Sequence, residues 1–264
     1  MKSNISINKN ILIMGGTRDG ILIAKELKKI GGIYIITTTT TNYGSELAKK
    51  YSDMAISMEN TPKTLKDIVK EYDISLLIDA THPFAINASK RALSISRECN
   101  IKYIRYERPQ KRYNNAIYVK DFKEASKIAL KIGKKNILYL AGIKNLNTVA
   151  GIVGKNRLIA RVLPISVNKA LEILPSKNIL GMEGVFSREF NKILILEYNC
   201  DVIITKDSGD SGGLNEKVLG AMDADAKIII VERPKMEYPI LFNSIEELVD
   251  YTENLIYKEK MVNT

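Results

Sequence analysis

The sequence predicts an α/β protein of two doubly wound domains, each with a parallel β-sheet and helices on both faces. Short runs rich in Ile, Val and Leu alternate with helical patterns along nearly all of the 264-residue chain, which is typical of parallel sheets. This alternation of strands and helices occurs twice along the chain. In each half the fifth predicted strand leads into a similar motif, "YERP" at 106–109 and "VERP" at 231–234. We place an N-terminal domain at 1–112 and a C-terminal domain at 113–264, separated near the polar stretch QKRYNNA at 110–116.

Each predicted strand is a short apolar run bounded by polar or glycine-containing segments, and each predicted helix carries apolar residues at helical spacing. In the first half we predict strands at 11–14, 33–37, 54–57, 74–79 and 102–106, and helices at 18–30, 44–51, 61–72 and 83–100. In the second half we predict strands at 136–141, 158–162, 178–182, 202–205 and 227–231, and helices at 122–132, 167–174, 188–198, 215–221 and 244–258. The helix at 83–100 begins at a proline, which fits the first turn of a helix. The last helix, at 244–258, can pack back on the first domain.

The composition, 45% hydrophobic and 27% charged, is that of a globular protein. No apolar run approaches the roughly 20 residues that span a bilayer, and the N-terminus lacks a secretory signal. Cys99 and Cys200 cannot form a disulfide framework, so we expect a cytoplasmic protein without membrane contact. One histidine and two distant cysteines do not fit a zinc site, and we expect no bound metal.

The net charge of +10 has two interpretations. Scattered lysines can form a solvated surface, or their field can attract an anionic ligand such as a dinucleotide or a polycarboxylate. We expect no nucleic-acid partner, because the chain has no basic motif interleaved with aromatic residues.

Ligands of open α/β sheets gather at the carboxyl ends of the strands, so the loops after the strands are the candidate sites. The first loop lies in "ILIMGGTRDG" at 11–20. Gly15 and Gly16 join a strand to a helix, where backbone N–H groups and the positive end of the helix can face a phosphate. The spacing is not G-x-G-x-x-G, and a tight turn without a ligand is the alternative.

The second loop contains five threonines, at 37–41. An enzyme that selects NAD often has an acidic residue here for the ribose hydroxyls. This chain has only hydroxyl groups, with Arg18 near in sequence, which favours NADP. β-propensity followed by a polar turn is the alternative explanation.

The third loop, "DATHPFA" at 79–85, holds the only histidine. Asp79 ends a strand, Thr81 can cap the next helix, and His82 lies at the entrance of that helix. A lone histidine is often structural, but this position at the carboxyl edge equally fits an active site.

The fourth loop, "TKDSGDSGG" at 205–213, combines charged side chains with three glycines that let a ligand approach the backbone. "GDSGG" matches the nucleophile motif of chymotrypsin-like proteases, but those are disulfide-bonded double β-barrels, so we reject hydrolysis. We also reject a short-chain dehydrogenase, since no tyrosine stands four residues before a lysine.

Together these motifs resemble the precorrin-6A reductase family of cobalamin biosynthesis, including its cobalt-precorrin-6A form. The resemblance also rests on "RYERP", "ARVLP", "GVFS" and "VERP", in the family's order along the chain. It implies an oxidoreductase with two Rossmann-like domains around an inter-domain cleft. It further implies that NADPH, or NADH as the alternative, reduces one ring double bond of precorrin-6A or its cobalt form to give precorrin-6B. Asp19 and Val185 stand where the family more often has glutamate and proline.

The four loops, taken together with the resemblance, give our hypothesis for the site residues. For the cofactor we expect Gly15, Gly16, Thr17, Arg18, Thr38, Thr39, Thr40, Thr81, Lys206, Ser208 and Gly209; for substrate carboxylates Arg105, Arg108 and Lys206; and for catalysis Asp79, His82 and Asp207. As an alternative to binding substrate carboxylates, Arg105 and Arg108 can form ion pairs with Glu107 or another acid. The proton donor can be His82, Asp207 or water.

The expected partner is a tetrapyrrole with many carboxylates, and the protein is expected to be a monomer or a homodimer. The sequence does not decide whether the ring carries cobalt. Two other functions stay open: an NAD(P)-dependent reductase of another anionic substrate, and a nucleotide-sensing protein without turnover.

Overall fold

The computed structural model describes residues 9–16 and 18–262, apart from the side chains of residue 211 and residues 257–262. The chain divides into two compact units. Unit 1 contains the residues up to Pro109 and those from Lys235 onward, and unit 2 is Gln110–Pro234. The chain returns to unit 1 after Pro234, so unit 1 includes the segment of the last helix, which the sequence assigned to the second domain with the option of packing on the first. The expected cleft stays a prediction.

The elements of the first part of unit 1 are β1 (Lys9–Met14), α1 (Arg18–Leu27), β2 (Ile33–Thr39), α2 (Asn42–Ala48), β3 (Met54–Ser57), α3 (Leu65–Glu71), β4 (Ile74–Asp79), α4 (Ile86–Glu98) and β5 (Lys102–Tyr106). Unit 2 contains β6 (Ala116–Val119), α5 (Phe122–Ile132), β7 (Asn136–Tyr139), α6 (Leu146–Val153), β8 (Leu158–Val162), α7 (Val167–Leu171), β9 (Ile179–Gly181), α8 (Arg188–Glu197), β10 (Cys200–Lys206), α9 (Leu214–Asp223) and β11 (Lys227–Val231). The chain then adds β12 (Leu241–Phe242) and α10 (Ile245–Val262) to unit 1.

Each unit is built on one parallel sheet of six strands. The order is β12-β5-β4-β1-β2-β3 in unit 1 and β6-β11-β10-β7-β8-β9 in unit 2. The prediction of two parallel α/β domains is confirmed. The central strands read as nearly continuous apolar runs, because helices bury both faces of the sheet. In β1, Ile11, Leu12 and Ile13 are at most 1% exposed and belong to apolar clusters on opposite faces.

The same strand order shows that unit 2 repeats the architecture of unit 1. In each unit a sixth strand joins beside the strand that ends in the "ERP" motif: β12 beside β5, and β6 beside β11. Both of these edge strands were missed in the sequence, as was α6. The strands β6 and β12 are short, and each pairs with a strand more than 100 residues away along the chain.

The strand register brings the predicted loops of unit 1 together. Met14 pairs with Thr38 on one side and with Asp79 on the other. The loops after β1, β2 and β4 therefore leave the sheet side by side, at the point where the strand order reverses. This point is where open α/β sheets bind their ligands.

No helix among the described residues is both long and apolar enough to cross a membrane.

Candidate functional site

In the loop after β1, some glycines allow close packing and another leaves its backbone open, as is expected of a phosphate-binding turn. Gly15 N donates to Thr38 O at 2.7 Å. A Cβ on Gly20 would lie 2.9 Å from Gly15 Cα, so a side chain at residue 20 would push α1 away from the loop. Gly16 has φ +98°, and a Cβ added to it would meet no atom within 4 Å, so its backbone faces open space. Arg18 is exposed at the start of α1, and Thr17 lies outside the described residues.

A cavity of about 380 Å³ opens beside this loop. Its volume falls in the range of roughly 300–1,000 Å³ that is usual for small-molecule sites. Its walls combine backbone and hydroxyl groups with apolar side chains and one guanidinium: Met14, Gly15, Thr38, Thr39, Thr40, Met58, Leu65, Thr81, Asn87, Ala88 and Arg91. The predicted residues Gly15, Thr38–Thr40 and Thr81 are thus brought together.

Arg91, which is not among the predicted site residues, is exposed on α4 and lines this cavity. A signal was available, because residue 91 lies in the second turn of the helix that follows the DATHPFA loop. A basic residue there faces the same edge of the sheet as the loop itself.

Asp79 is fully buried in an ion pair with Arg105. Arg105 Nη1 lies 2.7 Å from Asp79 Oδ1, and the side chains of both residues are 0% exposed. Asp79 also accepts hydrogen bonds from the Tyr103 hydroxyl at 2.7 Å and from the Thr81 hydroxyl at 2.7 Å. Burial acts to raise the pKa of Asp79, but the Arg105 charge and the donated hydrogen bonds hold it below the ordinary value. The carboxylate thus stays ionised and holds the loop.

A second carboxylate, Glu107, extends this network. It accepts from Arg105 Nη2 and from the Tyr238 hydroxyl, each at 3.2 Å. Tyr238 belongs to the C-terminal segment of unit 1, and its ring stacks on Tyr103. The sequence left the role of Arg105 open between a substrate carboxylate and an ion pair. The structure gives it two carboxylate partners of this chain and no exposed surface.

Arg108 forms the corresponding contact with the loop after β1. Its Nε donates to Asp19 Oδ2, and both side chains are less than 10% exposed. The arginine of the "YERP" motif therefore anchors the start of α1.

Thr81 and His82 lie on the turn between β4 and α4. The sequence placed the start of the helix at 83, with Thr81 as its cap. The helix instead begins at Ile86, and the Thr81 hydroxyl bonds to Asp79. His82 is partly exposed, and its Nδ1 accepts from Phe84 N at 3.1 Å. A neutral ring in this arrangement carries its proton on Nε2.

In unit 2, the loop after β10 is held by an ion pair like those of unit 1. Arg233, from the "VERP" motif, contacts Asp207 Oδ1 at 3.2 Å. Asp207 Oδ1 also accepts from Gly209 N at 3.3 Å, and Asp207 is 5% exposed. The Ser208 hydroxyl donates to Gly212 O at 3.3 Å. The predicted Asp207, Ser208 and Gly209 therefore form one folded turn.

Lys206 ends β10 and is only partly exposed. Burial and the charge of Lys144 both lower its pKa. An anion bound beside it would gain from this concentration of positive charge.

Comparison with protein families matches residues 10–253 to the family described as Precorrin-6x reductase CbiJ/CobK. The chain belongs to this family. It is 54% identical over 248 residues to the cobalt-precorrin-6A reductase of Methanocaldococcus jannaschii, covering 93% of this chain and 99% of that protein. It is 53% identical over 247 residues to the protein of the same name from Methanococcus maripaludis, covering 93% and 100%.

A solved structure titled "CobK precorrin-6A reductase" has the same fold, with a TM-score of 0.74 over 93% of this chain and 96% of that one, at 19% identity. The family match and the two relatives confirm the resemblance found in the sequence, and the protein is an oxidoreductase that reduces a ring double bond in cobalamin biosynthesis. Its reaction needs a nicotinamide cofactor.

Proposed function

We propose that unit 1 binds NADPH at the edge formed by the loops after β1, β2 and β4. The observation that carries this proposal is the cavity of about 380 Å³ beside a glycine turn with an open backbone. The pyrophosphate would lie on Gly15 and Gly16, where N–H groups and the helix dipole of α1 favour an anion; the expectation for Thr17 lies outside the described residues.

The walls of the cavity suit the adenosine half of the cofactor. Met58 and Leu65 offer apolar surface to the adenine, and Thr38, Thr39 and Thr40 offer hydroxyls and backbone groups to the ribose. Arg91 supplies the charge that a 2′-phosphate requires. Among the described residues, no acidic side chain lines the cavity to bind a ribose 2′-hydroxyl, which favours NADPH over NADH.

The nicotinamide supplies a hydride when bound, so the protein has to orient the reactants and provide one proton. We assign proton delivery to His82, because Asp79 and Asp207 are buried in ion pairs with arginines. In this proposal Asp79, Asp207, Arg105 and Arg108 act as positioning residues. Lys206, Ser208 and Gly209 stay predictions for ligand contact on unit 2.

The substrate we propose is cobalt-precorrin-6A, reduced to cobalt-precorrin-6B. Support comes from the two relatives named cobalt-precorrin-6A reductase, which match this chain over nearly their whole length. We further propose a cytoplasmic protein that is a monomer or a homodimer, which light scattering during size-exclusion chromatography can determine.

The test of cofactor choice is Arg91→Met. Loss of a charged hydrogen bond to a phosphate costs about 1.5–3 kcal/mol, so we expect about 10- to 100-fold weaker NADPH binding. NADH binding should change by less than about 2-fold, since NADH lacks the 2′-phosphate. Nucleotide fluorescence measures both dissociation constants.

Arg97→Met is the matched control, because it removes an exposed arginine from the same helix. Equal weakening of NADPH and NADH by Arg91→Met would contradict the assignment of Arg91. A wild-type protein that binds neither nucleotide would contradict the cofactor site as a whole.

A further inference from the structure

Three of the motifs that carry the family resemblance meet within unit 2. Arg161 of "ARVLP" lies on β8, with its Cζ 4.6 Å from the ring centroid of Phe186 of "GVFS". Val185 of the same motif contacts the glycine turn of "TKDSGDSGG", since a Cβ on Gly213 would lie 2.9 Å from Val185 Cγ1. Segments more than 20 residues apart along the chain thus form one surface.

This surface contains two buried cations with neutral hydrogen-bond partners. Arg161 is 9% exposed, and its Nη1 donates to Asn191 Oδ1 at 3.3 Å. Lys217, on α9, is 8% exposed, and its Nζ donates to Gly212 O at 2.9 Å. No aspartate or glutamate of the described residues forms an ion pair with either side chain.

The electrostatic consequence is a concentration of uncompensated positive charge. Burial, together with repulsion from Arg161 and Lys206, lowers the pKa of Lys217 to about 7. Burial lowers the pKa of Arg161 to about 10. Buried charges without a counter-ion destabilise a fold, so an anion from outside the chain would stabilise this one.

We propose that Arg161 and Lys217, with Lys206 beside them, form a pocket that binds a carboxylate group of the tetrapyrrole substrate. This inference rests on the proposed function, and it assigns substrate contact to two residues that the sequence motifs alone did not single out.

Exposed apolar side chains around the pocket favour a macrocycle over a phosphate group. Ile165 is 81% exposed and Leu163 is 50% exposed, both just after the strand that carries Arg161. Val185 is 62% exposed. A corrin precursor has an apolar ring with acidic side arms, which matches apolar surface beside buried cations.

The experiment uses the full-length variants Arg161→Met and Lys217→Met, and uroporphyrin III as a fluorescent probe with eight carboxylates. Each variant should bind the probe about 10- to 100-fold more weakly than the wild type, as expected for loss of a charged hydrogen bond. NADPH affinity should stay within about 2-fold. The thermal midpoint should stay equal or rise, because each variant removes an uncompensated buried charge.

Lys134→Met is the matched control, since it removes one exposed positive charge at the opposite edge of the same sheet. It should change probe binding by less than about 2-fold. Arg161→Lys keeps the charge and should recover part of the affinity lost in Arg161→Met.

Three outcomes would overturn the proposal. Unchanged probe binding in folded variants would show that the cations do not contact the macrocycle. A lower thermal midpoint with unchanged probe affinity would give them a structural role. Loss of NADPH affinity with retained probe affinity would assign the pocket to a nucleotide phosphate. Failure of the proposed cofactor site would instead appear as wild-type protein that does not bind NADPH.

Discussion

At the scale of single residues, the structure separates buried cations that pair with a carboxylate from buried cations whose hydrogen-bond partners are neutral. Arg105, Arg108 and Arg233 each contact an aspartate of the same unit. Arg161 and Lys217 have neutral partners in equally buried positions. The sequence could not make this distinction, because the partners lie 26 to 89 positions away in the ion pairs.

The lowered pKa of Lys217 predicts a pH-dependent cost to stability. The ordinary pKa is 10.5 and the folded one about 7. Below pH 7 the lysine is charged in both states, so the folded protein bears the full cost of burying the charge. Between about 7 and 10.5 the unfolded chain binds the proton more strongly, so the contribution of Lys217 to the free energy of unfolding rises with pH.

Lys217→Met should therefore be more stable than the wild type at pH 6, by about 1–4 kcal/mol. The difference should shrink as the pH rises above 7. Urea unfolding of ligand-free protein at pH 6, 7, 8 and 9 measures it, and subtraction of the two curves cancels the other titrating groups. A difference that does not vary with pH would show that folding leaves the pKa of Lys217 at its ordinary value.

At the scale of elements, buried ion pairs hold the turns after β1, β4 and β10. The loop after β4 is held in position by Asp79, which contacts Arg105 on the neighbouring strand β5 and Thr81 within the loop. His82 lies farther along the same turn, with its Nδ1 bound to a backbone N–H. We therefore expect the aspartate to act through stability and loop position, and the histidine through the reaction.

Asp79→Asn should lower the free energy of unfolding by about 3–5 kcal/mol, because it leaves Arg105 buried without its main counter-ion. His82→Asn should leave stability nearly unchanged, because the asparagine carbonyl can accept the Phe84 N–H. Turnover should fall about 10²- to 10⁴-fold if the imidazole delivers the proton. Chemical denaturation and steady-state reduction of the tetrapyrrole measure these effects.

Asp250→Asn is the control for Asp79→Asn, since residue 250 is exposed on α10. Full turnover by His82→Asn would leave water as the proton donor. Unchanged stability of Asp79→Asn would show that the ion pair does not hold the loop.

At the scale of the whole molecule, the C-terminal segment completes unit 1 rather than extending unit 2. Leu241 and Phe242 of β12 pair with Arg105 and Tyr106 of β5. Leu248 of α10 is fully buried in the same apolar cluster as Ile11 and Ile13 of β1. Unit 2 is therefore inserted between two parts of unit 1.

Leu248→Ala should destabilise unit 1 selectively, since removal of a core leucine costs about 2–5 kcal/mol. Hydrogen exchange measured by mass spectrometry should quicken in β1, β2 and β4 and stay unchanged in β7 and β10. Bound NADPH should slow this exchange again, because it binds only the folded unit.

Leu138→Ala, in the buried core of unit 2, is the matched control and should give the reverse pattern. Faster hydrogen exchange in β7 and β10 of Leu248→Ala would instead show that the C-terminal helix also stabilises unit 2.

The positions of the central strands in both sheets could be predicted within a few residues, since a strand that is buried on both faces is a continuous apolar run. Five predicted strands match the observed bounds residue for residue, among them 74–79 and 227–231. The helix α6, LNTVAGIV, was missed although its buried residues Leu146, Val149, Ala150 and Val153 have helical spacing. It is only 8 residues long, and it contains a threonine and a glycine, which are poor helix formers. The strands β6 and β12 were missed because an edge strand of two to four residues is specified mainly by its partner.

The sequence by itself determined the fold class, the family and the loops that carry the candidate site, because these depend on local patterns and short motifs. Only the tertiary structure decided what each charged residue in those loops contacts. It paired Asp79 with Arg105 and Asp207 with Arg233, and it placed Arg91 on the cavity. The physical reason is that the energy of a charge depends on its burial and its partners, and both are set by strands and helices distant in the chain.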